Sequence, residues 1–167
     1  MTPDYESIFD ALQLHQVDFV VIGAVAMVLH GSARVTRDLE LCYSRERNNL
    51  DRVAKALTPF APTLRDAPEG LPFVLDAATL RTGLNFTLRS TAGDLDLLGE
   101  VTGIGAYQAV VRLSVVMTLY GRDVRVLSLD GLERAKRAAG RLKDLADLAE
   151  IREIRRLSAG DKDRPPS

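Results

Sequence analysis

Residues 19–42, FVVIGAVAMVLHGSARVTRDLELC, constrain this chain more than any other stretch. The run over 17–22, VDFVVI, apolar except for Asp18, predicts a strand buried on both faces. Gly23 ends it, residues 24–29 follow as a short helix, and the chain returns as a strand carrying Asp38 and Glu40. Side chains two apart on a strand point the same way, so both carboxylates face one side while Leu39 and Leu41 face the core. Like charges at close range repel and disfavour ionisation. A divalent cation is the usual remedy, and hard carboxylate oxygens suit Mg²⁺ held together with substrate phosphates. The plainer alternative for an isolated Asp-x-Glu is a solvated strand face.

The turn before those acids has two readings as well. A strand, a glycine turn and a helix start leave backbone N–H groups free, which makes Gly23-Ala24 a candidate phosphate site. The alternative is a glycine required only by backbone geometry. His30-Gly31 reads as the end of the short helix, and His30 is given no catalytic part. Arg34 and Arg37 stand just before the acidic strand, either to bind phosphate or to balance the acids as salt bridges.

The rest of the chain alternates between helical and extended patterns. A first helix is expected over 3–14, with Thr2 as cap and Ile8, Phe9 and Leu12 on one face. An amphipathic helix is expected over 45–57, a loop over 58–70 and a short strand over 71–75. The pattern NFTLR, a turn at 91–93 and the run DLDLLGEV predict a hairpin. Asp94 and Asp96 share a face of its second strand and would join Asp38 and Glu40 if the two strands are neighbours. Gly103-Ile104-Gly105 is too common a pattern to mark a nucleotide loop. Two more strands are expected over 112–119 and 123–127. A helix then starts at Asp130, breaks at Gly140 and resumes over 142–149.

Between Arg134 and Arg156 eight Lys or Arg face four acidic residues, the one locally basic stretch. Most of these charges read as solvated helix faces with i,i+4 pairs. Lys136, Arg141 and Lys143 cluster at the helix junction, where they suit a polyphosphate or an RNA backbone. The tail 158–167, SAGDKDRPPS, is polar and is expected to be disordered. The fold class expected is α/β (α+β): a mixed β-sheet flanked by helices, in one domain over 1–157 whose C-terminal helical part spans about 129–157.

Composition excludes some classes of function. The 167 residues carry a net charge of −1, so any nucleic-acid partner must be met by a local patch. Cys42 is the only cysteine, which excludes an intrachain disulfide and points to a reducing compartment. The N-terminus lacks the pattern of a signal peptide, and the longest apolar run is shorter than the roughly 20 residues of a membrane helix. The expectation is a cytoplasmic protein with no membrane partner.

Taken in order, these motifs resemble the DNA polymerase β-like nucleotidyltransferase superfamily. The hydrophobic-glycine turn is Ile22-Gly23-Ala24, the acid-hydrophobic-acid strand is Asp38-Leu39-Glu40-Leu41, and the later single acid between hydrophobics is Leu95-Asp96-Leu97. His30-Gly31, Arg34, Thr36, DLDLLGEV and LERAKRAAGRLKDLADL resemble the AbiEii-type toxin branch, whose lysine and Lys-Asp positions are matched by Lys136 and Lys143-Asp144. The resemblance covers about residues 17–150. It implies two Mg²⁺ ions at Asp38, Glu40 and Asp96, with Asp96 also helping to deprotonate an acceptor hydroxyl. It places Gly23, Ala24, Arg34, Thr36, Lys136, Arg141, Lys143 and Asp144 at the nucleotide. The implied partners are an NTP and an acceptor RNA (tRNA-like) or protein, and an antitoxin protein if the chain is the toxin of a bacterial toxin–antitoxin pair. Nucleotidylation of a small molecule such as an aminoglycoside is the alternative activity. Two positions depart from the pattern: Ala24 stands where glycine or serine is usual, and Glu40 where aspartate is commoner. They keep open a catalytically degenerate member that only binds nucleotide or a partner.

Overall fold

The structure, a computed structural model, describes residues 2–162. Its elements in chain order are α1 (Tyr5–Leu14), β1 (Phe19–Ile22), α2 (Gly23–Leu29), β2 (Asp38–Tyr43), α3 (Arg47–Leu57), β3 (Thr63–Leu64), α4 (Ala77–Thr82), β4 (Asn85–Ser90) and β5 (Gly93–Leu98). They continue with β6 (Glu100–Val101), β7 (Gly105–Ala106), α5 (Tyr107–Arg112), β8 (Ser114–Leu119), β9 (Arg122–Leu127), α6 (Leu129–Ala139) and α7 (Leu142–Lys162). Seven strands form one mixed sheet in the order β3-β4-β5-β2-β1-β9-β8, and β6 and β7 form a separate small hairpin.

The two apolar runs of the sequence become the sheet's centre. Val20, Val21 and Ile22 of β1 and Leu39, Leu41 and Cys42 of β2 are buried, as are Leu95 and Leu97 of β5. β1 runs antiparallel to β2 and parallel to β9, whereas β2 runs parallel to β5. The buried Ile8, Phe9 and Leu12 of α1 join a core that α3 completes with Leu50, Val53 and Leu57. α1 packs on α3, α3 on α4, and α6 on both α2 and α7. No described helix is long and apolar enough to cross a membrane.

Several boundaries differ from the sequence expectations, each for a local reason. Asp4, not Thr2, caps α1, its carboxylate accepting from the Ser7 backbone N–H at 3.2 Å. Ser128 caps α6 by accepting from the Gly131 N–H, and Gly140 ends that helix with φ +63°. The expected strand over 71–75 is absent: Pro72 interrupts the run, Leu71 and Val74 point to solvent, and only Leu75 is buried. The sheet edge is formed by the short β3, inside the stretch 58–70 expected to be a loop, and α4 follows in a stretch the pattern did not mark. The expected strand over 112–119 begins at Ser114, because Tyr107–Arg112 forms α5, with Val110 fully buried. β6 and β7 turn through Gly103 at φ +84°, which is what the bare Gly-x-Gly does here.

α7 runs on to Lys162, into the stretch expected to be a disordered tail. Gly160 is a weak helix former but no proline intervenes before Pro165. The remainder of that tail, 163–167, lies outside the described residues.

Candidate active site

Strand pairing brings four carboxylates together. In the parallel register of β2 and β5, Asp38 lies beside Asp94 and Glu40 beside Asp96. Pairing across β4 sets Thr87 against Asp96 and Arg89 against Asp94. Leu39 and Leu41 are buried on the other face, so the two acids of β2 stand on the open one. The strands expected to be neighbours if Asp94 or Asp96 were to join the site are indeed neighbours.

Three of these acids, all but Asp94, line one wall of a cleft of about 620 Å³. Asp38, Glu40 and Asp96 come from the sheet, whereas Lys136, Arg141 and Lys143 come from the junction of α6 and α7. Burial pushes the Glu40 carboxyl above its usual range; the charges of Asp96 and Asp38 add to this, and Lys136 and Lys143 oppose it. Asp96 is raised by burial as well, with Arg65 opposing and Asp38 and Asp94 adding. Such a cluster gains from any cation that enters.

Glu40 fills the space above the glycine turn. Gly23 has φ +65°, and a Cβ added there would lie 2.5 Å from the Glu40 carboxyl carbon and within 2.7 Å of both its oxygens. Both reasons for glycine therefore operate at once, the left-handed backbone and the close approach of an anion. The turn that the sequence marked as a phosphate cradle holds the chain's own carboxylate, and Ala24 lines no part of the cleft. We expect Gly23→Ala to lower folding stability by about 1–2 kcal/mol, read by chemical denaturation, and to force Glu40 from its seat.

The arginine and lysine assignments separate. Arg34 donates to Asp147 at 2.6 Å and to Glu150, so it ties the loop before β2 to α7 and does not line the cleft. The acids it balances are on α7 and not on β2. Lys136 pairs with Asp147 at 2.8 Å and stands 3.6 Å from Asp144, at the cleft's edge. Lys143 makes no ion pair among the described residues and lines the cleft. Thr36 sits beside the Tyr5 hydroxyl, outside the cleft lining.

Asp144 has a different role from the one its motif suggested. Its side chain is fully buried and accepts from both the backbone N–H and the guanidinium Nε of Arg141, each at 2.9 Å. This is the returning half of a capping box at the start of α7. The Arg141 hydrogen bonds hold the carboxyl down at about 2. From there its carboxylate faces Arg141 and Lys136, which line the cleft.

Two residues at the site were not legible in the sequence. Arg65, just past β3, donates to Asp96 at 2.6 Å and lies 3.3 Å from Asp94. It belongs to a stretch whose two-residue strand is too short to show a period. Tyr5 of α1 places a buried hydroxyl near Asp38 and Asp94; Thr36 lies beside it without closing a hydrogen bond of good geometry, and burial with those charges pushes the hydroxyl up to about 12 against the Thr36 contact. Tyr5→Phe is expected to leave stability unchanged or raise it by up to about 1 kcal/mol, measured by thermal melting, since an unpaired buried hydroxyl is lost.

The donor chemistry of Asp38, Glu40 and Asp96 suits a hard divalent cation. Among the described residues no three His, Cys, Asp or Glu side chains converge closely enough to hold one as they stand. Asp96 is the member engaged elsewhere, by Arg65.

With this geometry in view, the solved structures that match are informative. The lincomycin-bound lincosamide antibiotic adenylyltransferase LnuA superposes with a TM-score of 0.58 at 15% identity, over 92% of this chain and 99% of that one. A candidate nucleotidyltransferase from Thermotoga maritima gives 0.51 at 13% identity, over 96% and 91% of the two chains. The antibiotic-resistance factor ANT(2'')-Ia gives 0.51 at 13% identity, over 95% and 89%. No protein-family profile and no curated protein sequence matches. The mixed sheet with its flanking helices is thus a nucleotidyltransferase fold. Among the particular proteins that share it, LnuA is similar over nearly the whole of both chains.

Proposed function

We propose that the protein is a Mg²⁺-dependent nucleotidyltransferase that moves a nucleotide from an NTP to an acceptor hydroxyl. The observation that carries this is the parallel register of β2 and β5, which sets Glu40 beside Asp96 and opens Asp38, Glu40 and Asp96 into one cleft. In the reaction the acceptor oxygen bonds to the α-phosphorus, the α–β phosphoanhydride bond breaks and pyrophosphate departs. Mg²⁺ bound by these carboxylates supplies charge neutralisation at the phosphate oxygens. Lys136, Arg141 and Lys143 supply positive charge to the triphosphate from the opposite wall. Asp96 would accept the proton of the acceptor hydroxyl, with its Oδ1 released from Arg65.

The acceptor is an RNA or protein hydroxyl on the resemblance to toxin-type enzymes, in which case an antitoxin protein is a partner. A small-molecule hydroxyl is the second reading, and the similarity to LnuA over nearly the full length of both chains favours it. A member that binds nucleotide without turnover is the remaining alternative, supported by Ala24 and Glu40. Purified protein incubated with Mg²⁺, each α-labelled NTP, and separate pools of cellular RNA, cellular protein, aminoglycosides and lincosamides distinguishes them. Label in one pool, absent with Asp38→Ala, supports transfer and names the acceptor class. Equal label with Asp38→Ala overturns the site assignment. Nucleotide binding without label in any pool favours the binding member.

A further inference from the structure

The charge census of the open face is uneven. Four carboxylates, Asp38, Glu40, Asp94 and Asp96, are set in two adjacent rows by the β2–β5 register. On the side of Lys136 and Lys143 the cations belong to helices across the cleft, but on the far side two arginines stand within the acidic face itself: Arg89 of β4, opposite Asp94, and Arg65, which alone of the two bonds a carboxylate of β5. Arg65 is held there by its backbone N–H, which donates to Thr87 O at 3.0 Å and continues the β3–β4 pairing by one residue. That pairing puts Arg65 on the same face as Thr87 and therefore as Asp96. Its side chain is only 17% exposed.

The guanidinium is not fully satisfied. Nη2 donates to Asp96 Oδ1 at 2.6 Å, whereas Nη1 is buried, 3.3 Å from Asp94 Oδ2, and makes no hydrogen bond. A structural arginine bridging two strands would be expected to close both arms of its fork. Arg65 is held more by charge than by geometry, and the charge of Asp38 reaches it too. Its contact with Asp96 ties up the one carboxylate that a second metal ion would require from β5.

Resting on the reading of the cleft given above, we propose that Arg65 is the site's built-in second cation. With Asp96 bonded to Arg65, the chain takes one divalent ion, at Asp38 and Glu40, and a second ion at Asp96 binds only when Arg65 is displaced. The expectation of two resident ions is thereby replaced by one ion and one guanidinium. Arg65 is a positioning residue in this scheme: it holds the Asp96 carboxylate away from the first ion.

Mn²⁺ alone, titrated into nucleotide-free protein and counted by electron paramagnetic resonance, tests this without reference to turnover. The intact chain is expected to bind one Mn²⁺, and Arg65→Gln two, the second lost again in Arg65→Gln/Asp96→Asn. Arg65→Lys keeps the charge and is expected to stay at one. Asp96→Asn in the otherwise intact chain is expected to leave the affinity for the single ion within about tenfold, a measurement that stands even if Arg65→Gln fails to fold. Two ions of similar affinity on the intact chain, one ion on folded Arg65→Gln, two on Arg65→Lys, or loss of the first ion in Asp96→Asn each overturns the role of Arg65 and leaves the nucleotidyltransferase reading in place. No Mn²⁺ bound by any of these proteins overturns the role of Arg65, and the labelled-NTP assay above then decides the nucleotidyltransferase reading separately.

Discussion

Asp38→Ala is expected to lower nucleotidyl transfer on the order of 1,000-fold, the scale seen when one stabiliser of transition-state charge is removed. Asp38 stands at the start of β2 with Asp94 as its neighbour across the strand pair and with the cleft on its open side. Nothing in the fold rests on its charge, because Leu39, Leu41 and the strand register hold β2 in place. Removing it also takes one negative charge from a crowded face, so the variant is expected to melt no lower than the intact chain. A large loss of transfer with an unchanged melting temperature is the signature of a ligand. A loss that tracks unfolding would make Asp38 structural.

Asp144→Ala is expected to have the largest effect on folding, about 2–4 kcal/mol, at or below the roughly 3–5 kcal/mol of leaving a buried charge without its partner. For a chain of this size that is a fall of about 5–15 °C in melting temperature. The side chain is fully buried and accepts two hydrogen bonds from Arg141 at 2.9 Å. Lys136 keeps Asp147 at 2.8 Å, which is why the cost stays below that of an isolated buried ion. The pH dependence has a definite sign. Because the folded carboxyl is lowered to about 2 from its ordinary 3.8, its stabilisation is present above about pH 4 and is lost as pH falls towards 2. Glu40 and Asp96 are raised and act in the opposite sense, costing stability as pH climbs above their ordinary values. Denaturation curves between pH 2 and 5 are expected to show a steeper acid loss for the intact chain than for Asp144→Ala.

What the sequence revealed follows the range over which each force acts. The acids of β2 were placed on one face because strand alternation is local, and the hairpin of β4 and β5 was legible for the same reason. The parallel pairing of β2 with β5 depends on the whole sheet order, and only the structure fixes it. Arg34 shows the opposite limit: its partners Asp147 and Glu150 lie on a helix over a hundred residues further along, so proximity to Asp38 in the sequence was misleading. Asp144 followed a motif to the nucleotide, but its burial could not be read from a charged amphipathic pattern. α5 was missed because Tyr107–Arg112 is under two turns long, too short to show a helical period, and its last residue was taken as the start of the strand expected over 112–119. Gly23 was read correctly as a turn, but the anion filling it came from Glu40, whose longer side chain reaches where an aspartate would stop one bond short.

The most direct test of the account is equilibrium NTP binding by the intact chain and by Asp38→Ala, each with and without Mg²⁺. Binding by the intact chain is expected to strengthen at least about tenfold with Mg²⁺, whereas the Asp38→Ala protein is expected to be folded but to gain nothing from the ion. NTP binding that is indifferent to Mg²⁺, and equal in the two proteins, would contradict the account.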